Sequence, residues 1–126
     1  MQIERNPQTY ADFGTAISKI PPAAQELFNQ FHKEVSKWVA SAKASVTCAA
    51  HVKGVTYSKS KRAFIWVNFG QKGFSVLIPN LKADAFEGVV PSTDIPGGYK
   101  GIRIAVKNSA SFQIALKAFQ EAYPLF

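Results

Sequence analysis

The segment from Val55 to Ile78, VTYSKSKRAFIWVNFGQKGFSVLI, constrains the fold more than any other. Its short apolar runs are cut by two turn signals, the polar Ser58–Lys61 and the glycine-bounded Gly70-Gln71-Lys72-Gly73. Runs this short, rich in aromatic and β-branched residues, read as strands. Turns this tight join antiparallel neighbours, so the middle of the chain is a β-meander. Strands are expected over Ser45–Val52, Ala63–Phe69 and Phe74–Ile78, with Val55–Tyr57 leading into the Ser58–Lys61 turn.

The flanks change period. Leu27, Phe28, Phe31, Val35, Trp38 and Val39 form one apolar stripe, which predicts a helix from Ala23 to Ser41. Pro21 and Pro22 suit its first turn. Before it, Tyr10, Phe13, Ile17 and Ile20 have helical spacing, so a shorter helix is expected over 9–20, with Thr9 as its cap. After the meander, Pro79–Gly101 reads as a long irregular connection with a short helix near Lys82–Phe86. Ile102, Ile104 and Val106 then alternate with Arg103, Ala105 and Lys107, a strand with one wet face. Asn108 or Ser109 caps a last helix carrying Phe112, Ala115, Leu116, Phe119 and Tyr123 on its apolar side.

This order predicts an α+β fold: an antiparallel sheet of about four strands, with two N-terminal helices and one C-terminal helix on one face. Trp38 and Leu116 are expected to be buried against the sheet. The other face is left for a partner, a ligand or solvent. At 126 residues the chain suits a single domain, with 1–22 as an N-terminal helical extension and 23–126 as the core. The single cysteine, Cys48, forms no intrachain disulfide, and the polar N-terminus lacks a leader's apolar run, so a soluble cytoplasmic protein is expected.

Charge is the second constraint. The net charge is +7, and the window from Val35 to Ala83 holds eight basic residues and no Asp or Glu. That window therefore carries the whole excess. Such a field attracts polyanions, although net charge alone also serves solubility.

Most catalytic chemistry finds no support. Cys48 and His51 are three apart on an expected strand, hence on opposite faces, and His32 is on a helix, so no metal site is expected. A phosphate-binding GxxxxGK[ST] loop is absent, and Pro96–Gly101 reads as a turn. The carboxylates are too few for two-metal hydrolysis. The expectation is a non-enzyme with no cofactor.

Arg62-Ala63-Phe64-Ile65-Trp66-Val67-Asn68-Phe69 approaches the basic, aromatic strand signature of RNA-recognition domains. That fold opens with a strand and this chain does not, so only the local chemistry carries over. Period-2 alternation places Phe64 and Trp66 together, with Ile65, Val67 and Phe69 opposite. Phe64 and Trp66 either stack on bases or pack under the helices, as most large aromatics do.

The pieces VTYSKSKRAFIWVNFGQKGFSVLIP, GYKGIRIAV and FQIALKAFQEAY resemble a bacterial domain family of unknown function labelled "predicted transport protein". The resemblance runs from Leu27 to Tyr123. Where that family usually has Gly-His and Gly-Asp pairs, this chain has Gly98-Tyr99-Lys100-Gly101. Members found fused to restriction-type proteins imply a link to DNA processing.

The residues expected to bind nucleic acid, DNA or RNA, are Lys53, Lys59, Lys61, Arg62 and Lys72 on phosphates. Arg103 and Lys107 extend the patch, and Phe64 and Trp66 stack. The alternatives are a protein-interaction or homodimer surface on the aromatic sheet face, and a small-ligand pocket under 79–101. No membrane contact is expected.

Overall fold

The computed structural model describes residues 2–3 by their backbone, and residues 17–51 and 53–125 in full. Among the described residues its architecture is α+β: two long α-helices against one face of a largely antiparallel sheet. The elements are β1 (Gln2–Ile3), α1 (Pro22–Ser41), β2 (Val46–His51), β3 (Gly54–Lys59), β4 (Arg62–Gly70), β5 (Gly73–Pro79), β6 (Val90–Ile95), β7 (Tyr99–Val106) and α2 (Ser109–Ala122). Short 3-10 turns stand at Ala83–Ala85 and Tyr123–Leu125. The sheet order is β1-β2-β3-β4-β5-β7-β6. Six strands form the antiparallel body, and the two-residue β1 lies parallel to β2.

This sheet is wider than the four strands expected. The difference includes β6, inside what reads as an irregular connection. Its Pro91 and its lack of apolar alternation hide it, but backbone pairing with β7 makes it a strand. The helix expected over 9–20 lies outside the described residues except for its last positions, where Ile20 is buried. Among the described residues one long N-terminal helix precedes the sheet.

That helix, α1, begins with Pro22 in its first turn, where no N–H is needed. It ends as Lys43 enters the left-handed region at φ 53, while the Ala44 N–H donates to the Val39 carbonyl at 2.9 Å. Phe28, Phe31, Val35 and Val39 face the sheet. At the start of α2, Asn108 and Ser111 cap reciprocally: the Asn108 side chain accepts from the Ser111 N–H at 2.9 Å, and Ser111 Oγ accepts from the Asn108 N–H at 3.1 Å. Ala115, Ala118 and Ala122 bring α2 close in, and Phe119 sits at the centre of the core. Its ring meets Tyr57, Phe64 and Phe31 edge-on at 5.1, 5.5 and 6.4 Å. Trp38 and Leu116, expected to be buried, are only half-buried at the margin of this cluster, because Phe31, Val35 and Val39 of α1 and Ala115, Ala118 and Phe119 of α2 take the inward positions.

The meander contains one irregularity that decides which side chains reach which face. Tyr57 pairs with Ile65 and Ser58 with Ala63, so Phe64 is an extra residue in β4. A bulge of this kind breaks the two-residue period. Phe64 and Ile65 are both fully buried, and Phe64 meets Phe119 and Tyr123 of the helix layer. The expectation that Phe64 shares a face with Trp66 is thereby corrected. At the other end of the same strand pair Gly54 stands at φ 155, where a Cβ would collide with the Val67 carbonyl oxygen.

Candidate nucleic-acid interface

With both α-helices on one face, the register defines what the opposite face presents. One row crosses the sheet as Ala49, Thr56, Trp66, Leu77, Arg103 and Val90. The next row, toward the β4–β5 turn, is His51, Gly54, Asn68, Ser75 and Ala105. Apart from His51, Trp66, Leu77 and Arg103 these are small or short side chains. Trp66 is half-buried, Arg103 is exposed, and two strand spacings of about 4.8 Å separate them.

Trp66 has an aromatic neighbour, but it is Tyr99. Their ring centroids lie 6.4 Å apart at 38°. The Tyr99 ring folds over Gly97, where a Cβ would stand 2.9 Å from it, so glycine at 97 leaves room for the ring. The Tyr99 hydroxyl lies 3.5 Å from Arg62 Nη2. The sequence reading missed Tyr99. The signal was present: Tyr99 is an odd number of residues from Ile102, so alternation puts it on the wet face with Arg103.

The basic residues divide between the two ends of the sheet. At one end Lys61 and Arg62 stand exposed at the β3–β4 turn. Ser60 and Lys61, its two central residues, both have positive φ, at 52 and 67. A two-residue turn with both positions left-handed favours Asn and Gly, and here it carries Ser and Lys. At the other end Lys53, Lys72 and Lys107 are exposed. The nine residues of β4 separate the two ends by roughly 25 Å at about 3.3 Å per residue. A single compact patch of all these cations is therefore not what the fold builds.

Two expected contacts are placed elsewhere. Phe64 is 0% exposed and offers no ring face to a ligand. Lys59 turns toward the helix layer, where its Nζ donates to the Tyr123 carbonyl at 2.6 Å and sits 4.2 Å from that ring's centroid. Its charge serves to fasten the end of α2 to β3.

Three of the expected residues do converge. Lys72, Arg103 and Lys107 line one cleft of about 490 Å³ at the β4–β5 turn and the end of β7. Asn68, Ser75 and Ala105 contribute to it from the second cross-strand row. Among the described residues no carboxylate lines it.

Charge partitions by layer in the same sense. In α1, Lys33 and Lys37 balance Glu26 and Glu34, and in α2, Lys117 balances Glu121. Residues 46–79 carry Lys53, Lys59, Lys61, Arg62 and Lys72 without an acid, and residues 99–107 carry Lys100, Arg103 and Lys107 without one. The excess positive charge thus belongs to the sheet and its turns.

The histidines and the cysteine occupy different environments. Cys48 is buried on the helix side of β2, and His51 is half-buried on the opposite face. His32, which looks isolated in the sequence, is partnered: its Nδ1 lies 2.9 Å from the Tyr57 hydroxyl, and its ring stacks between Phe28 and Tyr57. Burial lowers its pKa to about 4. Burial likewise raises the Tyr57 phenol well above its ordinary value. Among the described residues no group of three or more His, Cys, Asp or Glu side chains converges, and no helix is long and apolar enough to cross a membrane.

Compared with family models, curated proteins and solved structures, the chain matches none.

Proposed function

We propose that this protein is a small non-enzymatic module that binds nucleic acid through the sheet face opposite its helices. The observation that carries the reading is the partition of charge. α1 and α2 are each neutral, while the sheet and its turns hold the positive excess, with Trp66 and Arg103 in one row across the face. Phosphates supply the matching charge and carry no sequence information, so binding is sequence-independent. The test is a titration of a labelled duplex and a labelled single strand at two salt concentrations. Affinity should fall steeply with salt for at least one of them. Failure of the protein to bind either at low salt would remove the reading.

A second reading, a protein-interaction or dimerisation surface, is favoured by Val90. It ends the row that contains Trp66 and Leu77 and is 54% exposed. Sedimentation over a range of concentrations, together with the titration, separates the two: self-association without nucleic-acid binding would select the second.

A further inference from the structure

We infer that the bound species is a single strand, with a phosphate held in the cleft of Lys72, Arg103 and Lys107 and a base stacked on Trp66. This rests on the nucleic-acid reading and names its ligand more narrowly.

The cleft has the volume of a small-ligand site, and its cations come from two separate elements. Lys72 projects from the β4–β5 turn, Arg103 lies on β7, and Lys107 follows directly after that strand's last residue. An anion between them is met from both sides. Ala105, between the two on β7, and Ser75, its partner on β5, keep the floor low. Asn68 and Ser75 add neutral polar groups.

Trp66 is two residues along β4 from Asn68 on the same face, about 7 Å away at 3.3–3.4 Å per residue. A base stacked on Trp66 and a phosphate in the cleft are therefore neighbours on one short stretch of strand. A duplex cannot use this arrangement, because its bases stack on each other and present only their edges. An unpaired strand can, since each base has a face to offer. The backbone then runs over the β4–β5–β7 part of the sheet, away from the neutral helices.

The experiment is fluorescence anisotropy with labelled oligo-dT, oligo-U and a duplex of equal length, at two salt concentrations. Both single strands should bind more tightly than the duplex. Trp66→Ala should weaken single strands by about 5- to 150-fold and the duplex much less. Changing Lys72, Arg103 and Lys107 together to Gln should flatten the slope of log affinity against log salt by about 0.7 per lost contact on single strands. A second readout keeps the fold intact. Oligo-dT should quench tryptophan emission in the wild type, and Trp66→Phe should abolish the quench, because its one remaining tryptophan, Trp38, packs in the helix layer. Equal binding of duplex and single strand, or unchanged quenching in Trp66→Phe, would overturn the inference while leaving nucleic-acid binding in place. Absence of binding to all three probes would overturn both.

Discussion

Acid should destabilise this protein through His32 in a way a single substitution can isolate. In the folded state the ring lies between Phe28 and Tyr57, bonded to the Tyr57 hydroxyl, and its pKa is lowered to about 4. In the unfolded chain it titrates near 6.5. As pH falls from 6.5 to about 4, the unfolded state takes up a proton that the folded state refuses, so stability is lost across that window. Below about 4 both states are protonated and the loss stops growing. At 1.36 kcal/mol per pH unit the gap is worth roughly 3 kcal/mol, which screening at a partly exposed ring trims to about 2 kcal/mol. Carboxylates also titrate in this range, so the comparison is with His32→Gln, which retains a hydrogen-bonding group for Tyr57 and cannot charge. Urea unfolding followed by circular dichroism at pH 7, 5.5 and 4 should show the wild type losing about 2 kcal/mol more than His32→Gln. Parallel losses in the two proteins would refute a neutral buried histidine.

The core can be probed from α2. Phe119→Ala should cost about 3–5 kcal/mol in chemical denaturation, and half-buried Leu116→Ala nearer 1 kcal/mol. Equal costs would contradict the packing described for this helix. Gly54→Ala should lose more than about 2 kcal/mol, because the new methyl meets the Val67 carbonyl and φ 155 suits only glycine; near-neutral stability would disprove that close approach. Lys61→Gly should raise stability by about 0.5 kcal/mol by relieving a left-handed lysine, and a fall in the melting midpoint would refute strain at that turn.

What could be read from the sequence was the local part of the fold. The apolar stripe and prolines of α1, the Gly70–Gly73 turn and the Asn108 cap depend on neighbours a few residues away, and each stands near its expected position. The strand order was beyond such reading, because placing β7 between β5 and β6 depends on pairings formed across the 79–101 connection. The bulge at Phe64 was also beyond it. Two consecutive residues are drawn to the core by rings from α2, and no pattern within β4 announces that. The candidate site was legible in its residue types and illegible in its grouping. Lys72, Arg103 and Lys107 meet in one cleft, whereas Lys59 is taken up by Tyr123 and Tyr99 takes the place expected for Phe64.

The position of β6 bears on how the molecule behaves when crowded. An outer strand normally presents a row of unpaired donors and acceptors that can recruit another chain and seed fibrils. Here that margin is poorly suited to the task. Pro91 has no N–H to give, the ladder slips between Ser92 and Ile95, and Pro96 follows directly. Strand addition at this margin would meet an interrupted template, so the β6 edge should not seed cross-β growth despite the strand-rich middle.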